Sequence, residues 1–358
     1  MNKTLRSLAA HRLFWPILTL LLLLAANAAF NPGFLRITWR DGHLYGSLID
    51  ILNRAAPLML VSLGMTLVIA TRGIDISVGA VVAIAAAVAA LMIGGQLVVK
   101  DGVSVHVSRF PMWAAILAAL AVGLAAGLWN GVLVARVGMQ PIIATLILMV
   151  AGRGIAQLLT GGQIITIYYA PYFFIGNGYL LGLPFAFWVA IAVYALLHAA
   201  MSRTALGLFI QAIGVNPQAA RVAGVRAGLI TICAYVFCGF TAAAAGLLIS
   251  SNVKSADGNN AGLLMELDAI LAVTLGGTLL TGGRFSLAGS MIGALIIQTL
   301  TSTIYSIGVP PEVNLVVKAA VVFAVMLLQS AEFRATVRQW VWRPPVSQVP
   351  GTGPGGAR

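Results

Sequence analysis

The sequence predicts an all-α polytopic membrane protein with about ten transmembrane helices, and three observations carry that expectation. Of its 358 residues, 60% are hydrophobic and only 8% are charged, against about 25% charged in an ordinary soluble domain. The apolar residues form runs long enough to cross a ~30 Å hydrocarbon core, which takes roughly 20 residues per helix. The runs do not alternate, so helices are favoured over the strands of an outer-membrane barrel. This composition excludes a soluble enzyme, a nucleic-acid-binding domain and a disordered regulator. The net charge of +12 belongs to 21 basic residues spread thinly among the apolar runs, so it reads as membrane topology and not as a nucleic-acid surface.

Taken in order, residues 1–12 form a basic amino terminus with Lys3, Arg6 and Arg12. Spans are expected at 13–30, 51–70, 76–93, 112–135, 141–159, 184–201, 228–250, 263–280, 286–306 and 314–330. The first could pass for a secretory signal before Ala25-Ala-Asn-Ala-Ala, but its ~18-residue apolar run reads better as a retained signal anchor. Small residues at four-residue spacing, Gly123/Gly127, Gly289/Gly293 and Ala115/Ala119, suit closely approaching helices. With both termini cytoplasmic, the inner segments hold Lys3, Arg6, Arg12, Arg72, Arg136, Arg203, Arg221, Arg226, Arg284, Arg334, Arg338, Arg343 and Arg358. The outer segments hold only Arg36, Arg40, Arg54, Lys100, Arg109 and Lys254. That asymmetry obeys the positive-inside rule.

Residues 31–50, 160–183 and 251–262 are then external connections, and 202–227 is the largest internal one. The tail 331–358 is rich in Pro and Gly beyond Gln339 and is expected to be disordered. Two internal turns, Ala70-Thr-Arg-Gly-Ile-Asp-Ile-Ser-Val-Gly79 and Leu280-Thr-Gly-Gly-Arg-Phe-Ser-Leu-Ala-Gly289, share Thr, Gly, Arg and Ser and hint at an internal repeat. Chance recurrence of short polar turns between membrane helices gives the same pattern. Cys233 and Cys238 face different sides of one helix and have no companion ligands, so neither a metal site nor a disulfide is indicated.

Within 202–227, Asn216 followed by Pro217 has the form of an N-cap with proline at the first helical position. A short helix over 217–223, ended by Gly224, would be thin along Ala219, Ala220 and Ala223 and polar at Gln218 and Arg221. Such a helix suits either a groove in another protein or the membrane surface.

At these residues the chain resembles the permease subunits of bacterial ABC importers for monosaccharides, the ribose/xylose/galactose family. The resemblance lies in Leu67-Val-Ile-Ala-Thr-Arg-Gly-Ile-Asp-Ile-Ser-Val-Gly-Ala, Leu206-Gly-Leu-Phe-Ile-Gln-Ala-Ile-Gly-Val-Asn-Pro-Gln-Ala-Ala-Arg-Val-Ala-Gly, Glu266-Leu-Asp-Ala-Ile-Leu-Ala-Val-Thr-Leu-Gly-Gly and Thr281-Gly-Gly-Arg-Phe. It covers residues from about 40 to 330. Ile49-Asp-Ile-Leu-Asn-Arg-Ala-Ala-Pro, Gly127-Leu-Trp-Asn-Gly and Ala144-Thr-Leu-Ile-Leu-Met-Val-Ala-Gly-Arg-Gly look most like the galactofuranose-importer branch.

The resemblance implies one permease domain over 13–330 in a bacterial inner membrane, with 202–227 as its cytoplasmic coupling segment. Gly214, Asn216, Pro217, Ala219, Ala220, Arg221 and Gly224 would then engage a partner ATPase that binds ATP and Mg. It also implies a second permease chain, identical or different, and a periplasmic sugar-binding protein. Leu208 and Gln211 depart from the family, which often has a basic or aromatic residue there, and leave the ATPase's identity open.

The residues themselves give the chain no ATPase or catalytic site. No lysine follows a glycine, so the phosphate-cradling Gly-x-x-x-x-Gly-Lys loop is absent, and no cofactor or metal is indicated. An ion-coupled secondary transporter of a small neutral solute is the main alternative. It usually needs an acid at the bilayer centre, whereas Asp75, Glu266, Asp268, Lys318 and Arg153 are all expected near span ends. A membrane enzyme acting on a lipid-linked sugar would need a catalytic acid or metal that the sequence lacks.

A sugar path should be uncharged, polar and weakly binding. Gln298, Thr301, Ser302 and Tyr305 fall at i, i+3, i+4 and i+7 and form one polar helical stripe. Asn130 and Gln157 are further candidates. Each is equally suited to hydrogen bonding between membrane helices.

Overall fold

A computed structural model describes residues 13–40, 42–100, 103–308 and 311–329. The basic amino terminus and the Pro/Gly-rich tail lie outside the described residues. Among the described residues, six helices are long and apolar enough to cross a membrane: α2 (Ser47–Ala70), α4 (Met112–Val132, continued by a π turn over Leu133–Val137), α5 (Pro141–Thr160), α7 (Phe185–Arg203), α10 (Ala227–Val253) and α12 (Leu287–Ser306). The other four expected spans correspond to helices α1 (Phe14–Phe30, 17 residues), α3 (Val78–Ile93, 16 residues), α11 (Met265–Leu275, 11 residues) and α13 (Pro311–Gln329, 19 residues). The last is a unit of its own.

Burial divides the helices by role. α2, α3 and α10 form the centre, and most of their residues are buried inside the protein. α4 and α5 pack on one side of this centre, and α1, α11 and α12 on the other, while α7 lies against α2. Most of the α4, α5 and α7 surface is exposed and apolar, as a lipid-facing helix requires.

The small residues read from the sequence sit at the closest crossings. A side chain at Gly123 or Gly127 on α4 would run into the backbone of α10 at Gly239 and Tyr235, and one at Gly293 on α12 into Ala272 on α11. Without a hydrophobic drive in lipid, such contact supplies the dispersion energy that holds helices together.

In the orientation expected from the distribution of basic residues, the external connections carry the strands. β1 (Thr38–Arg40) pairs with β2 (His43–Tyr45), and β3 (Gly95–Lys100) with β4 (Val103–Ser108), in antiparallel hairpins. β5 (Ile164–Thr166) joins β8 (Ser255–Asp257), and β6 (Tyr179–Leu180) joins β7 (Leu183–Pro184). Helix α6 (Ala170–Asn177) covers the outer end of α10, where the Tyr172 hydroxyl lies 2.6 Å from Ser250 Oγ and the Gly176 N–H donates to Ser251 Oγ at 2.8 Å. On the inner side, α8 (Leu206–Val215) and α9 (Pro217–Val222) occupy the expected internal segment.

One expected span is corrected. The apolar run 263–280 is helical only over α11, because Gly276 and Gly277 close the helix and the chain continues as turns to Ser286. Its start is also deeper than composition suggested. Glu266, in the first turn of α11, sits against Gly79, the second residue of α3. The outer end of α3 at Ile93 is 14 residues beyond Gly79, about 21 Å of helix at 1.5 Å per residue. The segment before α11 therefore dips inward as a re-entrant loop.

Candidate functional site

The cavity of interest lies at the outer ends of α2 and α12 beside the end of α1, and has a volume of about 510 Å³, within the 300–1,000 Å³ usual for small-molecule sites. Its lining comes from two helical stripes with the same spacing. α12 supplies Gln298, Thr301, Ser302 and Tyr305; α2 supplies Ser47, Asp50, Ile51 and Arg54. Each set falls at i, i+3, i+4 and i+7, one face of an α-helix. The remaining walls are Asn31, Phe34 and Ser306. Nine of its eleven lining residues carry polar side chains, among them one acid and one base, so it offers hydroxyl-binding groups with no net charge between largely apolar walls.

Sequence reasoning found the α12 stripe and missed the α2 one. The same spacing was present, but Asp50 and Arg54 read as charges at a span end. The other two candidate residues do not line this cavity. Gln157 on α5 donates to Asn259 Oδ1 at 2.8 Å. Asn130 is fully buried in a polar node around Asp75.

That node joins four elements. The Asp75 carboxylate accepts from the Ser77 N–H at 3.0 Å, Ser77 Oγ at 2.6 Å and Asn130 Nδ2 at 3.3 Å, and the Ile74 carbonyl beside it accepts from the Tyr235 hydroxyl of α10 at 3.5 Å. Asn130 Nδ2 also donates to Ser77 Oγ at 2.9 Å, and the Ile76 N–H donates to Thr145 Oγ1 of α5 at 3.3 Å. The sequence put Asp75 at an inner turn. The structure turns the chain back into the protein after Arg72 and buries Asp75 to 1% exposure.

The re-entrant loop is held by one cation. Arg153 Nη1 on α5 donates to the carbonyls of Gly258 (3.3 Å), Asn259 (3.3 Å) and Ala261 (2.7 Å). Non-helical backbone at membrane depth survives only where protein satisfies it, and Arg153 does so here. Glu266 is buried below that loop, so the expectation that every acid lies near a span end does not hold for it. Among the described residues no group of three His, Cys, Asp or Glu side chains is placed to hold a metal ion.

The inner segment folds as its sequence signals indicate. Asn216 Oδ1 accepts from the N–H groups of Gln218 (3.0 Å) and Ala219 (3.1 Å), capping α9 with Pro217 at its first position. The helix stops at Val222, one residue short of the expected end, and Gly224 follows in the left-handed region at φ 84°. Ala220 is buried with Ile213 and Ala227, whereas Ala219, Arg221 and Val222 face outward. Gly214 is buried at the end of α8, between Ala70 O of α2 and the backbone of Gly283.

Comparison with known proteins adds the family. Residues 47–326 match the model described as branched-chain amino acid transport system / permease component. The chain belongs to this permease family. Within it, the chain is 48% identical over 333 residues to the galactofuranose transporter permease protein of Escherichia coli strain K12, covering 92% of this chain and 94% of that one. It is 39% identical over 335 residues to the fructose import permease protein of Bifidobacterium longum strain NCC 2705, covering 92% and 90%. The ribose import permease protein of Escherichia coli strain K12 is 34% identical over 318 residues, covering 88% and 92%. A solved structure of "an inward-facing conformation of a putative metal-chelate type ABC transporter" aligns with 88% of this chain at 15% identity and a TM-score of 0.43, too slight a likeness to place any element. A permease of this family is a multi-pass membrane protein, and the apolar helices agree with that.

Proposed function

We propose that this chain is the membrane-spanning permease subunit of an ATP-driven importer that passes a monosaccharide across the bacterial inner membrane. The observation that carries the cargo class is the cavity between α2 and α12. Its facing stripes present hydroxyl, amide and phenol groups, and its single acid and base balance. These groups exchange hydrogen bonds with sugar hydroxyls without the desolvation cost that a charged cargo brings. The sugar permeases named above support the same class.

Energy enters from a partner. α9 presents Gln218, Ala219, Arg221 and Val222 outward on a rigid, capped turn, and we assign this face to docking on an ATPase subunit that binds ATP and Mg. Gly214, Asn216, Pro217, Ala220 and Gly224 shape that turn. A second permease chain, identical or different, completes the path, and a periplasmic binding protein delivers the sugar to the outer cavity.

The test is uptake of radiolabelled galactose, ribose and fructose in proteoliposomes holding this chain, its second permease chain, the ATPase and the binding protein. ATP-dependent accumulation that stops when the ATPase is inactivated supports the reading. Accumulation by this chain alone under a proton or sodium gradient overturns it, and would make the buried Glu266 the natural ion carrier.

A further inference from the structure

Three chain segments that are distant in sequence meet at one point on the inner side. The Arg72 side chain, just past the end of α2, donates from Nε to the Gly214 carbonyl at 2.6 Å and from Nη2 to the Val215 carbonyl at 2.5 Å. Those are the last two carbonyls of α8, groups that a helix end leaves without intrahelical donors and that favour a cation. Gly283, in the turn leading to α12, donates its N–H to Ala70 O at 2.9 Å. Gly214 fits between these two partners only because it has no side chain. The two turns that share Thr, Gly, Arg and Ser in the sequence are thereby joined to each other and to the residue preceding the α9 cap.

The same two helices line the cavity at their other ends. α2 runs 24 residues from Ser47 to Ala70, about 36 Å, and α12 runs from Leu287 to Ser306. Between the ends, Thr66 Oγ1 donates to Ser290 Oγ at 2.7 Å in a fully buried pair. A displacement of α9 thus acts on α8's last carbonyls, through Arg72 on the end of α2, and through Ala70 and Gly283 on the start of α12.

We propose that Arg72 is the positioning residue through which the α8–α9 segment moves α2 and α12 together, so that movement at the inner surface reshapes the outer cavity. The inference rests on the reading of the chain as an ATP-driven permease. Arginine suits the task because its planar fork reaches two carbonyls at once, whereas a lysine ammonium serves them only singly.

The experiment uses the complete importer in proteoliposomes: an environment-sensitive fluorophore on Tyr305→Cys in a Cys233→Ser background reports the cavity, and a parallel unlabelled complex that keeps Tyr305 reports sugar import and ATP hydrolysis. In the complex without Arg72 substitution, a non-hydrolysable ATP analogue should shift the probe's emission. Arg72→Ala should abolish that shift and raise the ATP hydrolysed per sugar imported about tenfold, with basal hydrolysis and subunit assembly unchanged. Arg72→Lys should give an intermediate ratio, and it keeps the test readable if Arg72→Ala does not assemble. An unchanged shift and ratio in the assembled variants overturn the role of Arg72 alone. Absence of any nucleotide response in the complex carrying Arg72 instead overturns the ATP-driven reading, and the inference with it.

Discussion

Thr66 on α2 and Ser290 on α12 are hydrogen-bonded at 2.7 Å with both residues fully buried. Thr66 Oγ1 also lies 2.6 Å from Ser62 O and Ser290 Oγ 3.1 Å from Ser286 O, so the two hydroxyl protons are shared between the interhelical bridge and each helix's own carbonyl. Thr66→Val keeps the shape and removes the bridge. Interhelical hydrogen bonds of this kind are worth about 0.6 kcal/mol and at most about 1.7, so the variant should fold and melt a few degrees lower in detergent. A melting curve equal to that of the unsubstituted protein would show that the bridge adds nothing.

The node around Asp75 is more demanding. Asp75→Ala removes the acceptor from the Ser77 N–H and the Ser77 hydroxyl, and one of the two acceptors of the Asn130 amide, and each buried group left unpaired costs about 1–3 kcal/mol. Asp75→Asn keeps one acceptor oxygen. Fluorescence-detected size-exclusion should show loss of the folded peak for the alanine variant and a substantial remnant for the asparagine variant. Equal behaviour of the two would contradict the hydrogen-bonding account.

The α4–α10 crossing has no room to adjust, since an added Cβ at Gly239 meets the Gly123 carbonyl and the Gly127 backbone. Gly239→Leu should therefore destabilise by about 3 kcal/mol or more. Leu196→Ala on the exposed face of α7, where the side chain is 73% accessible, should stay within about 0.5 kcal/mol. Thermal scans of the two variants side by side check the contrast.

Uptake should separate cavity residues from the other candidates. Ser302→Trp fills the space between the stripes and should stop transport in an assembled complex. Gln298→Ala and Asp50→Asn should raise the sugar concentration needed for half-maximal uptake several-fold, at about 1 kcal/mol per lost hydrogen bond. Gln157→Ala, whose partner is Asn259, should leave transport kinetics unchanged; a strong kinetic effect there would move the path toward α5.

At the outer surface, Asp257 gives a pH dependence. Partial burial raises its pKa, but donation from Asn260 Nδ2 and from the Asn259 and Asn260 N–H groups outweighs this, and the carboxyl is held below its ordinary 3.8. A lowered folded-state pKa means that the contribution is complete above the ordinary value and is lost as pH falls through the lowered one. Hydrogen exchange in residues 257–261 should accordingly stay constant from pH 7 to pH 5, after correction for intrinsic rates, and accelerate only in stronger acid. Asp257→Asn should exchange faster throughout, without that acid transition.

Much of this was legible in the sequence where the signal is local. The α12 stripe, the Asn216–Pro217 cap and the Gly123/Gly127 pair are patterns of period or spacing, and each reappears as geometry. Arg72 was legible only as an inner positive charge, because its carbonyl partners are 142 and 143 residues away. Asp50 and Arg54 carried the right spacing, yet a charge at the start of an apolar run has a simpler reading as an end marker. The re-entrant loop was hidden for a related reason. Gly, Asn and Asp in residues 257–262 compose an external turn equally well, and only the distant Arg153 makes depth tolerable.

That last dependence bears on how the chain is made. Three carbonyls of residues 258–261 need the guanidinium of Arg153, which leaves the ribosome about a hundred residues earlier, so the donor is already in the bilayer when its acceptors emerge. The segment has no stable home in lipid by itself. Synthesis order supplies one, and a truncated chain that begins after α5 should stall in the membrane with this segment unable to settle.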